Sequence, residues 1–166
     1  SYRISVNGDN VIDRQKKFNL LIPPSRGYIN DFIAQTFLRE LNMISLRVKP
    51  VKLVLNGDNM GTYLKEEFYD KRLIEYNKYR ESAILRLNDD FTIEISETNY
   101  IKYKSIIEKF KKKIDLFIDG SIKFEKIIDV DKMSDSLALS VLFGDIHSLL
   151  SLNQRYYLNP FTCKLE

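Results

Sequence analysis

At 166 residues the chain can bury a sizeable core, as one domain or two small lobes. Its 44% hydrophobic and 30% charged residues are ordinary for a globular protein, and a net charge of +3 from 26 basic and 23 acidic residues is too mild to argue for a nucleic-acid or membrane partner. The single cysteine, Cys163, excludes an internal disulfide and a cysteine-based zinc cluster.

No apolar run approaches the ~20 residues that cross a bilayer, and the N-terminus lacks the charged, apolar and small-residue succession of a signal peptide. Any export signal would lie outside the chain, and a cell-envelope or extracellular setting stays open for the whole protein. Strand-like alternation begins at Ser1 without an initiator methionine, so the sequence reads as a piece of something longer.

Tyr2 to Val6 and Lys17 to Ile22 read as antiparallel strands joined through the Asn7-Gly8-Asp9-Asn10 turn, a pair that needs further strands for stability. Pro23-Pro24 ends the second strand, because proline removes a ladder donor. Asn30 is placed to cap a helix carrying Ile33, Phe37 and Leu41 on one face, with Asn42 as its terminator. Val51 to Leu55 then alternates as a half-buried strand, Asn56 to Gly61 supplies residues that tolerate positive φ, and Thr62 to Phe68 returns as the second arm of a hairpin. That arm brings Glu66 and Glu67 to the end of a sheet edge. Tyr69 to Tyr79 follows at helical spacing.

Ser82 to Leu87 and Phe91 to Ile95 read as short strands around the Asn88-Asp89-Asp90 turn. From Tyr100 to Ile118 an amphipathic helix sets Tyr103, Ile106, Ile107, Phe110, Ile114 and Phe117 against Lys109, Lys111, Lys112 and Lys113, and a solvated lysine face ranks ahead of nucleic-acid or membrane contact. Ile122 to Val130 reads as extended. Asp131 or Ser134 then caps a strongly apolar helix through Met133, Leu137, Ala138, Val141 and Leu142, expected to be buried, which Gly144 stops just before Asp145 and His147. Gln154 to Leu158 and Cys163 to Glu166 form a closing hairpin. The fold class is α+β: a sheet-rich part with one helix, 1–68, and a mostly helical part ending in a β-hairpin, 69–166, with one compact domain as the alternative.

The ordered set Asn56-Gly57, Gly61, Tyr63, Glu66-Glu67 and Asp70-Lys71-Arg72-Leu73-Ile74-Glu75 resembles the CotH kinase-like family, atypical protein kinases named for a spore-coat protein. There a strand and an N-G turn lead into G-x-Y-x-L-x-E and a D-K-x-L-I-E helix. The likeness runs more loosely from Arg3 to the last residue, with a less typical region between about 88 and 129. Arg26-Gly27-Tyr28-Ile29 resembles the family's R-N-Y-I segment, with Gly27 in place of asparagine.

This resemblance implies a kinase-like arrangement, ATP and Mg²⁺ as cofactors, and phosphoryl transfer to Ser/Thr of a protein substrate. It implies that Glu66, Glu67 and Phe68 lie beside the adenine, that Lys17 reaches toward the phosphates with Arg3 on the preceding strand, that Asp145 is the catalytic base and that Asn153 is a magnesium ligand. In the expected cleft, Glu67 is on the back wall and Asp145 faces the same opening. The Asp145 to Asn153 spacing is longer than in H-R-D-x-x-x-x-N, and His147 follows the aspartate instead of preceding it.

Structural readings stand beside each role. Glu66 or Glu67 would cap or salt-bridge the following helix, Asp145 would be a turn residue, Lys16 and Lys17 would be solvated, and the lone His147 would be a satisfied loop histidine or a substrate contact. A glycine-rich loop would precede Ser1 and the metal-holding aspartate would follow Glu166, so the resemblance implies a fragment without catalytic competence of its own. A non-catalytic binding or structural module of an envelope or coat assembly is the alternative, and a nucleic-acid binder ranks last. No G-x-S-x-G, H-E-x-x-H or Walker motif supports a hydrolase, zincin or P-loop reading.

Overall fold

A computed structural model of the chain describes residues 1–95, 100–144, 150 and 153–166. The fold is α+β, and the chain divides into two compact units, Ser1–Phe68 and Tyr69–Glu166.

The first unit is a four-stranded antiparallel sheet of β1 (Tyr2–Ser5), β2 (Lys17–Leu21), β3 (Val48–Leu55) and β4 (Asp58–Glu67), in the order β1-β2-β4-β3. The sheet-edge expectation for Glu66 and Glu67 is therefore corrected, since β4 pairs with β2 on one side and β3 on the other. Local sequence fixes the β3–β4 hairpin: Asn56 and Gly57 sit at φ 52 and 93, the pair of positive values that a two-residue turn matched to strand twist requires. A register shift at Leu53/Val54 accommodates Gly61, at φ 84. On one sheet face Phe18, Leu20 and Tyr63 form a small buried cluster, joined by Ile4, Val6, Val51 and Leu53.

Between β2 and β3 the chain makes a 3-10 turn at Pro23–Arg26 and then α1 (Asn30–Glu40). Asn30 is the first helical residue and not the cap, which falls on Ile29 without a side-chain bond. Asn42 does end the helix: at φ 55 its N–H reaches the Arg39 carbonyl while Met43 N–H reaches that of Leu38, satisfying two carbonyls left open by the last turn. Gln35 Oε1 accepts from Leu46 N–H at 2.6 Å, holding α1 to the approach to β3.

The second unit begins with α2 (Lys71–Tyr76), whose N–H of Arg72 is capped by the Asp70 carboxylate and whose Leu73 and Ile74 are buried. A three-stranded sheet follows, ordered β6-β5-β7, from β5 (Ile84–Leu87), β6 (Ile93–Ile95) and β7 (Tyr156–Tyr157). α3 (Tyr100–Ile118) lays Ile107, Phe110 and Ile114 into the core of this unit with Ala83, Leu85, Ile127, Ile128, Leu158, Cys163 and Leu165. Each such burial is worth roughly 1.5–3 kcal/mol for the large side chains. Lys109, Lys111 and Lys112 lie on the solvent side, whereas Lys113 turns inward and donates to the carbonyls of Lys126, Thr162 and Cys163 at 2.8 to 3.2 Å.

Two expectations for this unit are corrected. The segment expected to be extended, 122–130, contains a 3-10 turn at Phe124–Lys126, and α4 (Val130–Leu142) is capped by Asp129, not by Asp131 or Ser134. Nor is α4 buried: Met133 packs on the core, but Val141 and Leu142 are 68% and 70% exposed. An apolar stripe shows that a helix has a face to cover, not that its own unit covers it. The closing hairpin forms as read, with Tyr157 and Glu166 exchanging backbone hydrogen bonds at 2.8 and 2.9 Å. No helix among the described residues is long and apolar enough to cross a membrane.

Candidate functional site

Alternation along β4 sends Lys65 and Glu67 to one face of the sheet and Glu66 to the other, with Phe68 continuing the alternation just past the strand. Strand register then decides which side chains each meets. Arg3, Asn19 and Glu66 are cross-strand neighbours in one row, and Phe18 and Glu67 in another.

On the Glu66 face, the carboxylate is buried and held from two directions. Asn19 Nδ2 donates to Oε1 at 3.1 Å, and the Arg26 guanidinium lies 2.9 Å from Oε2. Arg26 also approaches Asp31, at 4.0 Å, tying the first turn of α1 to β4. Burial raises the Glu66 pKa above the usual carboxylate value, and the charge of Asp31 adds to that, against the opposing pull of Arg26 and Asn19. Next along this face, the half-buried Phe68 ring has Arg3 Cζ 5.2 Å and Lys17 Nζ 5.7 Å from its centroid. The result is an aromatic surface with two cations beside a carboxylate.

On the opposite face, Glu67 is 1% exposed. Arg47, just ahead of β3, clasps it: Nε donates to Oε2 at 2.9 Å, the backbone N–H donates to the same oxygen at 3.2 Å, and Nη2 pairs with Oε1. Glu67 N–H returns a bond to the Arg47 carbonyl at 3.1 Å. Neither acid caps the helix that follows, because Asp70 does.

The other assigned residues lie in the second unit. Asn153 is exposed in a turn, its N–H donating to the Leu150 carbonyl at 2.8 Å. Asp145 and His147 lie outside the described residues, so the expected opening shared by Glu67 and Asp145 does too. Among the described residues no group of three or more His, Cys, Asp or Glu side chains is arranged to hold a metal ion.

The family model described as CotH kinase protein matches residues 1–164. The chain belongs to the CotH kinase family. No curated protein matches it. In this CotH kinase domain the residues that sequence reasoning missed are the partners, Asn19, Arg26 and Arg47. In the sequence Arg26 stands out only as part of the Arg26-Gly27-Tyr28-Ile29 segment, and nothing local marks Arg47, which lies 20 positions from its carboxylate.

Proposed function

We propose that this CotH kinase domain is part of a protein kinase that transfers the γ-phosphoryl group of ATP, with Mg²⁺, to Ser or Thr of a protein substrate. The observation that carries the reading is the family match over 1–164, which contains the N-G hairpin delivering Glu66, Glu67 and Phe68. Bound ATP supplies the phosphoryl group, and Mg²⁺ neutralises charge on it.

The residues of the Glu66 face fit a nucleotide. Phe68 offers a flat apolar surface at the end of β4, and Lys17 and Arg3 supply positive charge on the same face. Glu66 and Glu67 are engaged by Arg26 and Arg47, so in this reading their side chains hold the strand end rigid and the backbone beyond them meets the base. Asp145 takes the substrate hydroxyl proton, a role worth about 10²–10⁴ in rate for a positioned general base. Asn153 is the magnesium ligand by family resemblance alone.

Those same ion pairs favour a second reading, a binding or structural module of an envelope or coat assembly in which Glu66 and Glu67 are wholly structural. Thermal unfolding with and without Mg·ATP separates the two. The kinase reading expects about 2.7 kcal/mol of stabilisation at a nucleotide concentration 100 times Kd, reduced when Lys17 and Phe68 are replaced by alanine. No shift at any ATP concentration would favour the module.

A further inference from the structure

Lys65 lies inside β4 with 4% of its side chain exposed, on the same face as Glu67. Its ammonium sits 4.5 Å from the Phe18 ring centroid, donates to Asp13 Oδ2 at 2.6 Å and reaches the Ile12 carbonyl at 3.3 Å. Lys49, the cross-strand neighbour of Lys65, lies 2.7 Å from the same Oδ2. Arg47 adds a bond from Nη1 to the Asp13 carbonyl at 3.2 Å. Cations from two strands thus converge on one residue that is not part of the sheet.

Asp13 belongs to a turn in the connection from β1 to β2. Ile12 and Gln15 exchange backbone hydrogen bonds at 3.0 Å, and between them Asp13 and Arg14 both occupy the left-handed region, at φ 53 and 61. Glycine would adopt that conformation freely; arginine adopts it under strain. Gln15 is buried, and its Oε1 has no hydrogen-bond partner among the described residues, a further cost that hydration on opening would relieve. Asp13, by contrast, is half exposed and open to exchange with solvent.

The charges do not balance in this arrangement. Glu67 answers Arg47, while Lys49 and Lys65 share a single carboxylate oxygen. A buried ammonium requires an anion, and a dianion with several acceptor oxygens matches two ammoniums better than one carboxylate does.

We propose that Lys49, Lys65 and Arg47 build an oxyanion site, that the Asp13 turn is a displaceable plug filling it, and that the displacing ligand is a phosphate-class oxyanion, free or esterified. This site lies on the sheet face opposite Glu66 and Phe68 and does not depend on the kinase reading.

The test uses the full chain in two arms. In the native protein, inorganic phosphate added at constant ionic strength accelerates tryptic cleavage after Arg14 several-fold over chloride, because cleavage tracks the opened population. In Asp13→Asn, whose new side chain still tolerates the left-handed turn, calorimetric titration with inorganic phosphate and with an O-phosphoserine tripeptide shows affinity raised about tenfold or more for at least one of them, and Lys49→Gln in the same background removes the gain. Tighter binding of the tripeptide assigns the esterified source, and tighter binding of inorganic phosphate the free ion. Failure of either arm in folded protein overturns the proposal. Should Asp13→Asn fail to fold, the native arm decides alone.

Discussion

Arg47 and Glu67 form a clasp in which one arginine uses its backbone N–H, Nε and Nη2 on a carboxylate that is 1% exposed. The pair joins the end of β4 to the residue just ahead of β3, so the position of the strand end rests on it. Removing one member of such a pair strands the other in a medium that cannot solvate it. Arg47→Leu is therefore expected to lower unfolding free energy by about 3–5 kcal/mol, read from chemical denaturation. A loss within about 0.5 kcal/mol, the range of an ordinary surface substitution, would show the clasp to be incidental.

Glu66 should behave differently, since Arg26 is 44% exposed and remains hydrated without its partner. Its raised pKa means that the folded protein binds a proton more readily than the unfolded chain, so its contribution to stability declines as pH rises from the ordinary carboxylate value of 4.5 through the folded pKa. Glu66→Gln should flatten that part of the stability-against-pH curve and cost little at neutral pH. An unchanged curve, measured by thermal unfolding across mildly acidic buffers, would contradict the assignment.

Asp13 has the opposite sign. The ammoniums of Lys49 and Lys65 lower its pKa from 3.8 to about 2, so its stabilisation is present above 3.8 and is lost as pH falls toward 2. Because Asp13 is half exposed, solvent screening limits the effect to at most about 1 kcal/mol for each pair. Asp13→Asn should be less stable than the native protein at pH 7 by that order, and the difference should shrink with added salt and vanish near the folded pKa. A gap that persists in strong acid would point to turn geometry instead of charge.

In the second unit, Phe110 is fully buried while Lys111 beside it is exposed. Phe110→Ala is expected to cost about 3–5 kcal/mol in chemical denaturation, whereas Lys111→Ala stays within about 0.5 kcal/mol. Similar losses for both would mean that α3 is oriented otherwise.

Elements whose signals are local were legible in the sequence. The Asn56-Gly57 turn, the α3 stripe ending at Ile118, and the Asn42 terminus of α1 each depend on a few adjacent residues, and each forms as read. What failed depends on distant chain. The run Lys65-Glu66-Glu67 has the composition of an exposed edge, yet all three residues are buried, because Asp13, Arg26 and Arg47 arrive from 20 to 52 residues away to neutralise them. For α4 the difference runs the other way: apolar periodicity predicts burial, and Val141 and Leu142 are exposed. Of the assigned site residues, the positions of Lys17, Glu66, Glu67 and Phe68 on particular sheet faces follow from register, which no single strand's sequence contains.

The kinase proposal is tested most directly by transfer of radiolabel from γ-labelled ATP to protein by the full-length protein and by its Asp145→Asn variant. The account predicts transfer that requires Mg²⁺ and falls by about 10²–10⁴ in the variant, with folding and nucleotide affinity retained. Equal transfer by the two proteins would remove Asp145 from the chemistry, and absence of transfer by the native protein with any substrate would contradict the proposed activity.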